Sequence, residues 1–297
     1  MNVRQLVVVS NPRTGRYSSN RVSIKEICVR LQALGWLVDL QETTTPGDAT
    51  NIAARAARDR IDAVIAAGGD GTINEVLQGL VGTETRLGLI PRGTANVLAR
   101  DLGIPLDELA AIEVIRKNRT RRIHVGSAIN ERDGTRRYFV LMAGIGLDAS
   151  VVRRVHPSLK KRLGKVAFWL SGLSHLADWQ PTVFQLEAEG QTLSATFAAI
   201  GKARGYGGDL AITPRARLDH PEFEVCVITS RSRMRYLQLL RHVMSGGVPP
   251  DTPDVSYFTT ESVKANGNAL VQIDGELIGE LPYSFEIAKE TLEVFVP

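Results

Sequence analysis

Two short stretches hold most of the residues able to do chemistry. Residues 68–76 read G-G-D-G-T-I-N-E-V. Gly68, Gly69 and Gly71 around Asp70 let the backbone approach a ligand closely, and free N–H groups at a helix start favour an anion such as phosphate. Asp70 would be repelled by that phosphate unless a cation lay between them, which suggests a metal–nucleotide site with Asp70 facing Mg²⁺ directly or through water. Thr72 is expected to cap the helix, with Glu75 reaching back to the Thr72 amide in a capping box. Residues 91–96, P-R-G-T-A-N, repeat the logic, with Gly93 for close approach and Thr94 able to cap a helix and bind a phosphate oxygen. A third turn, N-P-R-T-G-R at 11–16, joins them, and Arg13, Arg16 and Arg92 add positive charge. Singly each is an ordinary strand-to-helix turn; three together are harder to dismiss.

These turns need a scaffold that gathers them at one edge. Apolar runs at 6–10, 36–40, 61–67 and 87–90 read as strands. Helices are expected after each: one carrying Val22, Ile27, Leu31 and Leu34 and stopped by Gly35, then 48–58, then from Thr72, then 94–102 before Gly103 and Pro105. Four strand–helix units in succession predict a doubly wound parallel sheet, which binds ligands beyond the carboxyl ends of its strands. A basic, polar run at 112–122 marks a domain boundary. Beyond it, strand-like runs at 123–129, 138–142, 183–188, 193–200, 223–228, 269–273, 284–288 and 291–296 predict a mainly antiparallel β-sandwich, interrupted by helices at 158–178 and 232–245. The expected division is a nucleotide-binding α/β domain over 1–122 and a sandwich domain over 123–284, with 285–297 able to pack back onto the first.

The bulk numbers fit this plan. At 297 residues, 43% hydrophobic and 23% charged, the chain reads as a two-domain globular protein. A net charge of +4 suits nucleic acid, an acidic bilayer or a polyphosphate and decides nothing among them. Cys28 and Cys226 lie in apolar runs without metal-ligand spacing, which points to buried thiols in a reduced, cytoplasmic protein. No run approaches transmembrane length, so membrane contact would be peripheral.

With G-G-D-G-T-I-N-E-V at 68–76 and P-R-G-T-A-N-V-L-A-R at 91–100, the chain resembles the diacylglycerol kinase catalytic-domain family. It is most similar to the bacterial soluble lipid kinases of the YegS and DgkB type, with sphingosine and ceramide kinases more distant. N-P-R-T-G-R at 11, G-I-G-L-D-A at 144, G-Y-G-G at 205, I-T-P-R-A at 212 and I-D-G-E at 273 extend the match over nearly the whole length. G-G-D-G-T alone is shared with NAD kinases and phosphofructokinases; the ordered set disfavours a small-molecule kinase. The resemblance implies Mg²⁺- and ATP-dependent phosphoryl transfer to a lipid hydroxyl, in the cleft between a nucleotide-binding α/β domain and a β-sandwich. Asn11, Arg16, Thr43, Gly68, Gly69, Gly71, Thr72, Asn74, Glu75, Gly93, Thr94 and Asn96 would hold ATP, Asp70 would face Mg²⁺, and Glu276 would be the general base. Without the resemblance, Asp274-Gly275 beside Glu276 reads as a tight turn. The implied partners are ATP, a lipid and, transiently, an anionic membrane surface at the inner face, with a possible homodimer and no nucleic acid.

Asp148 lies where sphingosine kinases place a carboxylate near the lipid head group, or it caps a helix. The predicted helix at 158–178 carries Lys160, Lys161, Arg162, Lys165 and Phe168 beside an apolar stripe, a face that is either solvated or laid on an anionic bilayer. Two departures stand out. Relatives carry Asp where this chain has Val97, so either Asp70 and water manage the metal alone or activity is weakened. Relatives also read Asp-Gly in a structural Mg²⁺ loop where this chain has His220-Pro221; Asp219 could substitute by a one-residue shift. A binding homologue with reduced catalysis and a sphingoid or ceramide kinase therefore stand as alternatives to a glycerolipid kinase.

Overall fold

A computed structural model describes residues 4–12, 22–147, 149–150, 181–205, 212–244 and 252–297. The chain divides into two compact units, Met1–His124 with Lys289–Pro297, and Val125–Ala288.

In the first unit, strands β1 (Arg4–Ser10), β2 (Trp36–Glu42), β3 (Ala63–Gly68) and β4 (Arg86–Pro91) pair in parallel in the order β2-β1-β3-β4. The end of the last strand, β16 (Tyr283–Phe295), pairs beside β4 with Val294 opposite Leu87. Between the strands run helices α1 (Ile24–Ala33), α2 (Asp48–Arg58) and α3 (Asp70–Leu80), and after β4 come α4 (Val97–Asp101) and α5 (Glu108–Lys117). Every residue of β3 is buried, because helices cover both faces of the sheet. Leu6, Val8, Ala63, Ile65 and Ala67 pack against Ile27, Cys28 and Leu31 of α1 and Ile112 and Ile115 of α5. Helices α2 and α3 touch at backbone range through Gly79, where a Cβ would lie 2.6 Å from the Ala54 nitrogen and the Thr50 carbonyl oxygen. Ser10 stands opposite Glu42 and Ala67, and Gly68 opposite Pro91, so the four strands end level and their following turns share one edge.

Two helix starts differ from the sequence expectation. Helix α3 begins at Asp70 with Gly69 in extended conformation as its N-cap, two residues before Thr72. Thr72 lies inside the first turn with its side chain folded over Gly68, so the capping box does not form. Helix α4 begins at Val97 rather than Thr94, because Asn96 takes a left-handed conformation (φ 49°) that breaks any helix through it.

In the second unit, β7 (Met142–Gly146), β10 (Phe197–Gly201), β11 (Phe223–Ile228), β12 (Val255–Thr260), β14 (Leu270–Ile273) and β15 (Glu276–Glu280) form an antiparallel sheet in the order β12-β11-β10-β7-β14-β15. The facing layer contains β5 (Thr120–Asn130), β6 (Arg136–Phe139), β8 (Phe184–Ala188), β9 (Gln191–Ala195), β13 (Ser262–Gly267) and the first half of β16. Phe139 and Phe223 stack between the layers at 5.7 Å, and Phe285 meets Phe139 edge-on at 6.5 Å. Burying each such ring stabilises by roughly 1.5–3 kcal/mol. Helix α6 (Arg233–Met244) packs Tyr236 and Leu239 on Met142, Phe197, Cys226 and Ile228. Both cysteines are free and buried.

The sequence predicts one strand over 193–200, but the chain changes sheets at Thr196. Its Oγ1 donates to the carbonyls of Ile228 (3.0 Å) and Ser230 (2.7 Å) and meets the Tyr236 hydroxyl at 2.7 Å. Conversely, the strands predicted at 284–288 and 291–296 are one, β16.

Candidate active site

The first unit brings the turns after β3 and β4 into contact. Arg92 N–H donates to Gly68 O at 2.8 Å, carrying the ladder past the strand ends. Beyond it the turns touch: a Cβ on Gly93 would stand 2.5 Å from Gly69 Cα and 2.8 Å from Asn96 Oδ1. Asn96 clamps that contact, its Oδ1 accepting from Gly93 N–H (2.8 Å) and its Nδ2 donating to Gly93 O (3.1 Å). Gly71 is exposed in the first turn of α3, with nothing within 4 Å of where its Cβ would be. Gly69, the N-cap of α3, has no side chain to cap the helix, and the Asp70 carboxylate is the side chain that lies beside that first turn.

Asp70 spans the two turns. Its Oδ1 accepts from Leu98 N–H at 3.3 Å at the start of α4. Burial pushes its carboxyl above the ordinary range, opposed by hydrogen bonds from the backbone of Leu98, Val97, Asp70 itself and Asn96. Val97 is buried, and Asp70 supplies from across the turns the negative charge that α4 lacks at its own start. As a Mg²⁺ ligand Asp70 fits the donor set of a cation that arrives on nucleotide phosphates and keeps most of its waters.

The other expected phosphate ligands divide. Thr94 is exposed next to Gly93, and Asn11 follows β1 half-buried at the same edge. Thr43 is buried, its N–H donating to Ser10 O at 2.9 Å. Asn74 is buried in α3 and accepts from Gln78 Nε2 at 3.3 Å. Glu75 is turned away from the cradle: its Oε2 accepts from Gly47 N–H (3.0 Å) and Ala49 N–H (3.3 Å), capping α2 instead of its own helix. Asp48 holds the Thr43–Gly47 bend from the other side, accepting from the N–H and hydroxyl of Thr44 and of Thr45 at 2.8–2.9 Å. Those bonds hold the Asp48 carboxyl well below the usual carboxylate range. Arg92 is no open cation, because its Nη1 lies 3.0 Å from Glu108 Oε1 and donates to Val22 O at 3.0 Å. Arg13, Arg16, Asp148 and the basic helix at 158–178 lie outside the described residues.

In the second unit, Ile273 and Glu276 pair across a two-residue hairpin whose central residues, Asp274 (φ 47°) and Gly275 (φ 84°), are both left-handed. The tight-turn reading therefore holds, and the turn is also an anchor. Asp274 accepts from the N–H groups of Val140 (2.9 Å), Leu141 (2.9 Å) and Met142 (3.0 Å), where the chain breaks between β6 and β7. Glu276, fixed at the start of β15, presents an exposed carboxylate gripped at both oxygens by Arg137, 3.2 and 2.9 Å away. The sequence gives no signal for Arg137, since the pair is 139 residues apart.

A divalent cation does not fit the loop around His220-Pro221. Asp219 is held at both oxygens by Arg217 Nε (3.1 Å) and Nη2 (2.9 Å), which lowers its carboxyl below the usual range. Glu224 accepts from Arg215 N–H (2.6 Å) and Ala216 N–H (3.1 Å). Among the described residues no group of three or more His, Cys, Asp or Glu is arranged to hold a metal ion. The sequence reasoning also missed the buried Lys202, whose signal was a lone lysine ending the apolar run F-A-A-I-G.

Known proteins match both units. Residues 5–128 match the diacylglycerol kinase catalytic domain, and 142–296 match the YegS C-terminal NAD kinase beta sandwich-like domain. Diacylglycerol kinases of Staphylococcus saprophyticus and Staphylococcus haemolyticus are 30% and 29% identical, over 98% of this chain and 94% and 87% of theirs. A solved diacylglycerol kinase from Bacillus anthracis str. Sterne shares the fold, with a TM-score of 0.73 at 19% identity over 99% of this chain and 97% of its own. With the glycine turns matched by one family model and the sandwich by the other, the chain belongs to the diacylglycerol kinase catalytic-domain family, of the bacterial YegS/DgkB type.

Proposed function

We propose that this lipid kinase uses ATP and passes the γ-phosphate to a hydroxyl of diacylglycerol or a related glycerolipid. The observation that carries the reading is the pair of glycine turns, with Gly93 on Gly69 and open space at Gly71 in the first turn of α3. Phosphoryl transfer asks for positioning and charge neutralisation more than covalent help. Gly69, Gly71, Thr94, Asn11 and the backbone of α3 hold the phosphates, with Arg16, Thr43, Gly68, Thr72, Asn74 and Asn96 shaping or extending that cradle. Mg²⁺, held by Asp70 directly or through water, supplies the neutralising charge when bound.

Glu276 takes the proton of the acceptor hydroxyl through a lone pair that the Arg137 bonds leave open. A lipid acceptor places the enzyme at an anionic membrane surface; among the described residues no helix is long and apolar enough to cross one. A second reading, a nucleotide- or lipid-binding homologue with reduced catalysis, is favoured by Val97 and by the grip of Arg137 on Glu276.

One assay separates these readings. ATP consumption is measured over diacylglycerol, phosphatidylglycerol, sphingoid bases, ceramide and NAD, with Asp70→Ala and Glu276→Ala beside the parent. Turnover on a glycerolipid, lost in both variants, is the expected result. Turnover only on ceramide or a sphingoid base moves the acceptor class. Binding without turnover selects the second reading, and turnover untouched by either substitution refutes the mechanism.

A further inference from the structure

Strand β10 ends at Gly201, and the next residue, Lys202, is fully buried, at 0% exposure. A buried ammonium is costly unless its donors are met, and Lys has three N–H donors and no acceptor. Here main-chain carbonyls meet two of them: Nζ donates to Arg217 O and to His220 O, the latter at 2.7 Å. Arg217 O also accepts from His220 N–H at 3.3 Å, so both carbonyls belong to one turn and the ammonium sits against it. The lysine is positioned rigidly. Its own N–H and that of Ala203 both donate to Leu141 O, at 2.8 and 3.0 Å. Thr213 Oγ1, donating to Ala203 O at 3.1 Å, fills the space beside Gly201 and ties the start of the loop to the same segment.

Two convergent backbone carbonyls and a neighbouring acid are the kind of oxygen set that a hard divalent cation takes. In this chain the carbonyls are already engaged by a cation, and the acid, Asp219, is neutralised by Arg217 on the surface. Pro221 adds rigidity but no N–H to the turn. We propose that the Lys202 ammonium takes the structural place of a divalent ion in the 213–222 loop, so that the second unit carries its loop cation covalently and folds without metal. Its stability is then indifferent to chelators, whatever Mg²⁺ does for phosphoryl transfer. The proposal rests on this loop alone and stands or falls apart from the acceptor reading.

The test uses the full chain without nucleotide. After EDTA treatment and dialysis the parent is expected to hold far less than one divalent ion per chain by elemental analysis. Its melting temperature should stay within about 1 °C between EDTA and millimolar Mg²⁺ or Ca²⁺, because a ligand that does not bind the native state cannot stabilise it. Lys202→Met, which keeps the stem and removes the charge, should melt about 5 °C or more below the parent under all these conditions. Lys202→Ala, which vacates the space beside the carbonyls, should gain several degrees from Mg²⁺ or Ca²⁺ that the parent does not gain. A parent that retains about one ion per chain, or melts lower in EDTA and recovers with Mg²⁺, overturns the proposal, as does a Lys202→Met variant as stable as the parent. The parent measurements decide the matter even if neither variant folds.

Discussion

Two glycines of the cradle should separate stability from binding. At Gly93 a methyl group would stand 2.5 Å from Gly69 Cα and 2.8 Å from Asn96 Oδ1. The first neighbour is backbone and cannot rotate away; the second is the acceptor for Gly93 N–H. Gly93→Ala therefore pushes the two turns apart, an overpacking cost of about 1–3 kcal/mol, and weakens the Asn96 clamp for a further ~1 kcal/mol. For a chain of this size each kcal/mol lowers the melting temperature by about 2–4 °C, so a loss of roughly 4–16 °C is expected. At Gly71 nothing lies within 4 Å of the added methyl, and the residue is inside α3. Alanine is the better helix former by about 1 kcal/mol, so Gly71→Ala should melt at or above the parent. On the proposed reading a phosphate enters the open space at Gly71, so the methyl should cost at least about tenfold in nucleotide affinity, or ~1.4 kcal/mol. Differential scanning fluorimetry and titration calorimetry with an ATP analogue read both quantities on the same samples. Undiminished nucleotide affinity in Gly71→Ala would sink the cradle, and a Gly93→Ala variant with parental stability would sink the contact between the turns.

Glu75 and Asp48 give further tests. Glu75→Ala removes the acceptor from the N–H groups of Gly47 and Ala49, so α2 should lose a cap worth about 0.5–2 kcal/mol while nucleotide affinity stays within about twofold; lost affinity at unchanged stability would place Glu75 back in the cradle. The Asp48 carboxyl is lowered from an unfolded value of 3.8 by bonds from Thr45 and Thr44, so its stabilisation is complete above that pH and is lost as pH falls below it. Asp48→Ala should flatten the acid limb of stability measured by urea unfolding between pH 5 and the acid transition, and an unchanged limb would contradict the assignment.

What the sequence discloses here follows from the range of the forces involved. The four parallel strands and their level edge were legible because β1, β3 and β4 are short apolar runs closed by asparagine, glycine or proline, and the half-exposed edge strand β2 still carries Trp36, Val38 and Leu40 at alternate positions. The sandwich was legible as a class but not strand by strand. The segment from Gln191 to Gly201 is apolar and β-rich throughout, and only the partners of Thr196, 32 to 40 residues away, make it leave one sheet for the other. The strands β12, β13 and β15 escaped detection because each is largely exposed or half-exposed and mixes polar with apolar residues, so none has more than two apolar residues in a row.

The same division runs through the candidate site. Glycine positions are local requirements, so Gly68, Gly69, Gly71 and Gly93 announced the two turns from spacing alone, whereas the carboxylates chose partners that no window of sequence contains. Asp70 and Glu75 sit five residues apart in one motif, yet Asp70 turns to α4, 28 residues on, and Glu75 to the start of α2, 28 residues back. Each caps a neighbouring helix because the motif's own helix is already begun by Gly69, which leaves both acids free to satisfy N–H groups elsewhere. The spacing that reads as a capping box is thus spent on holding three helix starts at one sheet edge. Replacing the side chains inside the motif should therefore disturb α2 and α4 before it disturbs α3, and a hydrogen-exchange map of Asp70→Ala and Glu75→Ala that showed faster exchange confined to α3 would refute that order.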